Sequence, residues 1–174
     1  KNRLIKLNEQ ISSKYRAGLS LKYLDDYLGE NIVLSSIQEF IQEDQYISSN
    51  SRQFETILQK NTPKNIDWFF RTMVETRDLV DYKFGKVSKT KDSISVKIIN
   101  KTNTNAPISL YQLKNNEIVN KIWLNNITTD STIVIPRLES DKLVLNYNNE
   151  VPEYNLRNNW KSLKGFFFNN RPIK

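Results

Sequence analysis

Apolar residues in the first part of the chain recur at spacings of three and four, which is the period of amphipathic helices. The clearest stripe stops at Gly29, a residue suited to the left-handed position that closes a helix. The stripe consists of Leu19, Leu21, Tyr23, Leu24, Tyr27 and Leu28. The pattern therefore predicts a helix that ends just before Gly29.

Three further helices are predicted before about residue 79. The second covers about 31–44, and the polar link at 48–51 offers an N-cap for a short third helix through Phe54. Asn65 can cap a fourth helix, which Pro63 separates from the third. The first part of the chain is thus expected to be a helical bundle.

From Tyr82 onward the apolar period changes from about 3.6 residues to about 2, the period of β-strands. Short apolar runs, each bounded by turn-forming residues, lie around Ile94–Ile98, Ile108–Leu110, Ile118–Leu124, Ile133–Ile135 and Leu143–Leu145. They predict about six or seven antiparallel strands over about residues 82–147, arranged as a sandwich or barrel.

Together the two patterns predict an α+β fold, with an N-terminal helical bundle over residues 1–80 and an antiparallel β-sandwich with a C-terminal tail over residues 81–174. The boundary is a change of period and not a flexible linker. We therefore expect the two parts to pack on each other with little hinge motion.

Several conspicuous side chains are interpreted as structural. Trp68 and Phe69 are expected to be buried at the joint, beside strand residues such as Ile94 or Trp123. The run Phe166–Phe168 should dock on the sandwich or on another part of a longer protein, since exposing it would be costly. The acidic pair Asp25–Asp26 is expected to lie on a solvated helix face and not to bind metal.

The chain contains neither Cys nor His. Disulfides, thiol nucleophiles, a Ser-His-Asp triad and an H-E-x-x-H zinc helix are therefore excluded for this chain. By itself it is not expected to be an active hydrolase. The absence of Cys leaves the compartment open, because both exported bacterial proteins and cytoplasmic proteins can lack Cys.

The chain has no run of about 18 or more apolar residues, and its first residues, KNRLIKLNEQ, lack the apolar core of a signal peptide. We therefore expect no membrane span in this chain. Because it begins at Lys1 and runs at once into helical sequence, we expect it to be part of a longer protein.

The net charge of +7 comes wholly from the second half of the chain. Residues 1–80 carry 11 basic and 11 acidic side chains, whereas residues 81–174 carry 15 and 8. The lysines are scattered through strand-like sequence instead of forming a block, which favours a solvated strand face over a nucleic-acid-binding surface. No nucleic-acid partner is expected.

Two segments, KYRAGLSLKYLDDYLGENIVLSSIQEFIQ and SRQFETILQKNTPKNIDWFFRTMV, resemble the end of the catalytic domain in the aminopeptidase N family of gluzincin zinc metallopeptidases. The strand-rich half, beginning with SISVKIINKTNTNAPISLYQLKNNEIVNKIWL, is similar to the small sandwich that follows that domain. The resemblance covers about residues 12–160 and lies in the ordered succession of elements, with no single specific motif. It implies that the helices are the end of a thermolysin-like catalytic domain.

The resemblance assigns one candidate catalytic residue, Tyr15. In the family, the tyrosine that opens the first of these helices hydrogen-bonds the oxyanion of the tetrahedral intermediate. A neutral phenol suits this role because it remains a donor at neutral pH. The family usually shows Tyr-Glu-Lys-Gly here, whereas this chain has Tyr15-Arg16-Ala17-Gly18. The residues that bind substrate are not assigned.

No cofactor is expected in this chain. The resemblance implies zinc in the parent protein, bound by residues upstream of Lys1, and a peptide substrate. The chain would then be a non-catalytic C-terminal fragment of a zinc-dependent aminopeptidase-like protein, which completes and braces the active-site cleft. Two alternatives stay open: a non-enzymatic module whose basic sandwich binds a partner protein or an anionic polymer, and a peptidase relic whose parent has lost its zinc ligands.

We expect the isolated chain to take up no zinc tightly and to hydrolyse no aminoacyl substrate, because it has none of the imidazole or thiolate ligands that zinc sites ordinarily use. Calorimetric titration with zinc and a chromogenic aminoacyl substrate test the two halves of this prediction. Tight uptake of one zinc ion per chain would contradict it.

Overall fold

The computed structural model describes residues 2–29, 31–43, 50–76 and 78–164, and the chain divides into two compact units, Lys1–Thr76 and Arg77–Lys174. The first unit contains α1 (Asn2–Leu28), α2 (Ile32–Glu43), α3 (Ser51–Asn61) and a π-helix (Phe69–Glu75). In the second unit the described residues form seven strands, and none of them between Ser93 and Tyr147 is helical. The predicted α+β fold, helices followed by antiparallel sheets, is confirmed.

Two of the predicted helix ends are confirmed. Gly29 has a φ of +72°, and its N–H donates to the Asp25 carbonyl at 2.8 Å, which closes α1. Asn50 caps α3: its side chain accepts from the Gln53 N–H at 3.1 Å, while the Gln53 side chain accepts from the Asn50 N–H at 2.9 Å. No described helix is both long and apolar enough to cross a membrane.

The core of the helical unit is built around Trp68. Its ring lies 4.6 Å from the ring of Tyr23 and 5.6 Å from the ring of Tyr27, measured between centroids. Trp68 is 6% exposed and Phe69 3%, so the predicted burial of both is confirmed. The expected packing of these two rings beside strand residues stays a prediction.

The fourth helix differs from the one predicted. Asn65 accepts a hydrogen bond from the Asp67 N–H at 3.1 Å, as expected of a residue that starts a helix. From Phe69 to Glu75, however, the backbone is a π-helix, which closes each hydrogen bond one residue further along than an α-helix does. The wider turn buries Phe69, Phe70 and Met73 together. Apolar spacing alone does not reveal this change.

The strands form two antiparallel sheets. They are β1 (Tyr82–Lys89), β2 (Ser93–Asn100), β3 (Ile108–Lys114), β4 (Glu117–Leu124), β5 (Asp130–Pro136), β6 (Lys142–Leu145) and β7 (Trp160–Ser162), with a 3₁₀ turn at Leu156–Asn158. One sheet has the order β1-β2-β5 and the other β4-β3-β6-β7. The β3–β4 hairpin turns at Asn115 and Asn116, whose φ values of 53° and 72° suit a tight two-residue turn.

Both sheets supply buried side chains. Along β2, burial alternates strictly, with Ile94, Val96 and Ile98 buried. In β3 every residue from Ile108 to Leu113 is buried, so both faces of this strand are covered. The Gln112 side chain donates to the Pro136 carbonyl at 2.8 Å, which ties β3 of one sheet to the end of β5 in the other.

Replacing Trp68 by Ala should lower the free energy of unfolding of the helical unit by about 3–5 kcal/mol, because it empties a buried aromatic site. Val74→Ala, at a 48% exposed position of the same π-helix, is the matched control and should cost less than about 1 kcal/mol. Far-ultraviolet circular dichroism during urea unfolding measures both. Equal effects of the two variants would contradict the assignment of Trp68 to the core.

Candidate functional site

Tyr15, the candidate catalytic residue, lies on the surface of α1 and is 70% exposed. The expectation that Tyr15 opens a helix is wrong, since α1 begins at Asn2. The residues before Tyr15 contain no Gly or Pro and keep apolar residues at helical spacing, so nothing interrupts the helix there. Tyr15 is therefore a mid-helix residue, with its phenol accessible to a ligand.

The neighbouring Arg16 fixes this part of α1. Its guanidinium donates to the Thr76 carbonyl at 3.2 Å, just beyond the end of the π-helix. Gly18, by contrast, has open space where a Cβ would stand and has no positive φ. Of the two positions at which this chain departs from the usual Tyr-Glu-Lys-Gly, Arg16 thus has a defined structural contact.

The end of α1 is held by Lys64. Its ammonium donates to the carbonyls of Tyr27 at 2.7 Å and Leu28 at 3.1 Å, which belong to the last turn of the helix. The ammonium also lies 5.1 Å from the centre of the Tyr27 ring. Burial raises the pKa of the Tyr27 hydroxyl, so this phenol remains protonated and serves packing.

The acidic residues that the structure describes in the helical unit do not assemble a metal site. Asp26 forms an ion pair with Lys22, one turn away on α1, and Asp25 is exposed. Among the described residues, no group of three or more carboxylates could hold a metal ion. With no His or Cys in the sequence, the residues present do not fit the zinc ion that the family resemblance implies.

The sequence interpretation missed a buried carboxylate, Glu153. It accepts hydrogen bonds from the backbone N–H of Tyr82 at 3.0 Å and from the side-chain amides of Asn146 at 3.0 Å and Asn159 at 2.6 Å. Burial raises the pKa of Glu153 to about 7, and the negative charge of Asp81 adds to this effect. The pKa of Asp81 is itself raised by burial. Nothing in the local sequence distinguishes Glu153 from an exposed carboxylate.

A second buried carboxylate, Glu150, was also missed. It is 5% exposed and accepts from the Ser109 hydroxyl at 2.7 Å and from the Tyr111 hydroxyl, while the Lys121 ammonium lies 2.6 Å away. Burial alone would raise the pKa of Glu150, but the hydrogen bonds from Lys121, Tyr111 and Ser109 lower it below its usual range. Lys121 also lies 5.2 Å above the Trp123 ring.

Both carboxylate groups are satisfied from within the sandwich and serve its structure. Glu153 has donors on both of its oxygens, and the Glu150 charge is balanced by an ammonium. The described residues therefore supply Tyr15 as the one candidate functional side chain that the family resemblance assigns. The run Phe166–Phe168 lies outside the described residues.

Comparison with known proteins gives a likeness to solved structures. No protein-family model and no curated protein matches the chain. A crystal structure of Legionella pneumophila aminopeptidase A in complex with aspartic acid is similar, with a TM-score of 0.61 and 10% sequence identity. The match covers 80% of this chain and 17% of the aminopeptidase chain, so this chain corresponds to a small part of the length of that protein. At this identity the likeness shows an aminopeptidase-like fold.

The raised pKa of Glu153 predicts a specific pH dependence of stability. The folded unit binds the proton of the Glu153 carboxyl more tightly than the unfolded chain does, so protonation of Glu153 stabilises the fold. This stabilisation is complete below about pH 4.5 and is lost as the pH rises through about 7. The unfolding free energy should fall over this range by at most about 3 kcal/mol. Urea unfolding of the sandwich, followed by tryptophan fluorescence from pH 4 to 8, is the measurement.

Glu153→Gln should flatten this pH profile, because the amide cannot titrate. Glu117→Gln, which removes an exposed carboxylate at the start of β4, controls for the loss of one negative charge. If the profile of Glu153→Gln keeps the same fall between pH 4.5 and 7, another group is responsible.

Proposed function

We propose that this chain is the C-terminal part of a zinc-dependent aminopeptidase-like protein. Its helices complete the wall of the active-site cleft, and its sandwich braces that wall. The observation that carries the proposal is the fold: helices followed by two antiparallel sheets are similar to part of an aminopeptidase over 80% of this chain. The order of the helical segments, read from sequence alone, supports the same family.

Tyr15 is the residue of this chain that we assign to the reaction. Its exposed phenol can donate a hydrogen bond to an oxygen that gains negative charge as a peptide carbonyl is attacked. Such a donor contributes mainly in the transition state, so it acts on kcat. The Arg16–Thr76 contact holds this turn of α1 against the end of the π-helix, which supports the position of the phenol.

Zinc, the general base and the water that attacks the substrate are assigned to the rest of the parent protein, since the residues of this chain do not fit a zinc site. There a zinc ion would supply Lewis-acid chemistry at the peptide carbonyl. The relic alternative differs only in that the parent would have lost the metal ligands. The activity of the parent distinguishes the two.

One observation favours the alternative, an interaction module: the whole excess of positive charge lies in residues 81–174. However, four lysines of the sandwich have carboxylate partners, namely Lys97 with Asp130, Lys114 with Glu139, Lys121 with Glu150 and Lys164 with Asp141. These pairs reduce the local positive potential. Salt-dependent binding of the chain to a polyanion such as heparin would favour the module.

In the parent enzyme, Tyr15→Phe should lower kcat by about 10²- to 10³-fold and leave KM nearly unchanged, because only a transition-state hydrogen bond is lost. In the chain itself, the same change should alter the unfolding free energy by less than about 1 kcal/mol, since the hydroxyl is on an exposed side chain. Steady-state kinetics and urea unfolding are the two measurements.

Tyr154→Phe is the matched control, because Tyr154 is 74% exposed and lies in the sandwich. It should change neither kcat nor stability. An unaltered kcat in Tyr15→Phe would remove the catalytic assignment, and a parent that never shows peptidase activity would favour the relic.

A further inference from the structure

The two sheets have four edge strands, and three of them carry features that oppose pairing with another strand. β1 has a bulge between Phe84 and Val87 and carries Lys83, Lys86 and Lys89. β4 is irregular opposite Gln112 and Leu113 and carries Lys121, while β7 has only three residues. Bulges, lysines and short length are the usual devices that protect a sheet edge.

The fourth edge, β5, lacks these devices. It pairs with β2 in seven consecutive steps, from Ile99↔Asp130 to Ser93↔Pro136, with no bulge. Its interior, Ser131–Ile135, contains no charged residue and no proline and is rich in β-branched residues, which suit a strand. Val134 is 68% exposed. β5 is thus a regular sheet edge whose interior is uncharged.

The hydrogen bonds to β2 show which backbone groups of β5 point outward. The backbone N–H of Asn100 donates to the Thr129 carbonyl at 2.7 Å, and the backbone N–H of Arg137 donates to the Asp92 carbonyl at 2.9 Å. The odd-numbered residues of β5 therefore point their N–H and C=O groups towards β2. The N–H and C=O groups of the even-numbered residues of β5 point away from β2. Pro136 agrees with this parity, because its missing N–H removes no bond to β2.

Asp130, Thr132 and Val134 therefore present their N–H and C=O groups to the free edge. All three residues are exposed, and within the described part of the chain no backbone group of theirs on this side has a hydrogen-bond partner. The carbonyl of Pro136 is already bound by Gln112. The free edge thus offers three donors and three acceptors, alternating along the strand.

We propose that this edge pairs with the β5 edge of a second copy of the chain, antiparallel about a two-fold axis at Thr132. In this register Thr132 faces its own counterpart, and Asp130 faces the partner's Val134, so all outward donors and acceptors meet in six backbone hydrogen bonds. No like charges stand opposite each other. A second copy offers the same outward donors and acceptors in the reverse order, so one register pairs all of them and sets the Asp130 charge opposite an uncharged residue.

The pairing occupies the β5 edge of both copies and leaves neither free for a third, so it produces a dimer and not a fibre. Sedimentation of the 174-residue chain should give a mass of twice 20.5 kDa at high micromolar concentration. In hydrogen-exchange NMR, the amides of Asp130, Thr132 and Val134 should become protected as the concentration rises. The amides that face β2 should be protected at all concentrations.

Val134→Pro and Thr132→Pro each remove an outward N–H without touching the bonds to β2. Each should weaken dimerisation by at least about tenfold, the equivalent of the net contribution of one or two hydrogen bonds. Val134→Ala and Thr132→Ala keep the N–H and are the matched controls, which should change the dimer constant much less.

If the chain stays monomeric at these concentrations, the proposal is overturned. This holds even if the β5 edge pairs with a strand of another protein. A dimer that both proline variants leave intact uses another surface and also overturns it. Should a proline variant fail to fold, as judged by circular dichroism, the concentration-dependent protection of the three amides in the unaltered chain decides the question.

Discussion

The sandwich depends on the buried carboxylate of Glu153, which joins parts of the chain that are far apart in sequence. Its two oxygens accept from the N–H of Tyr82 at the start of β1, from Asn146 after β6 and from Asn159 before β7. One side chain thus links the three-stranded sheet to the four-stranded sheet. Burying it is costly and raises its pKa, but its removal would leave buried donors without partners.

The helical unit is organised by apolar contacts instead. Trp68 packs between Tyr23 and Tyr27 on the buried side of α1, and this leaves Tyr15 on the exposed side of the same helix. A rigid helix that presents a phenol to solvent is a sound way to position a hydrogen-bond donor for a ligand. This arrangement and the aminopeptidase-like fold are the observations that support the proposed function.

Local chemistry made much of the fold predictable. Gly29 in the left-handed region, the cap at Asn50 and the turn at Asn115–Asn116 each depend on the residue type at that position and on its nearest neighbours in sequence. The π-helix was not predictable, because its residues have ordinary apolar spacing. The family resemblance implied a helix start at Tyr15, whereas α1 begins at Asn2. The buried roles of Glu150 and Glu153 depend on partners such as Ser109 and Tyr82, which lie at long sequence separation.

The most direct test of the proposed function is a crystal structure of the complete parent protein with an amino acid bound in its cleft. The decisive quantity is the distance from the Tyr15 hydroxyl oxygen to the nearest carboxylate oxygen of the ligand. We predict a hydrogen bond, with a distance of about 2.5–3.2 Å. A Tyr15 hydroxyl that points away from the cleft, with the amino acid bound elsewhere, would contradict the account.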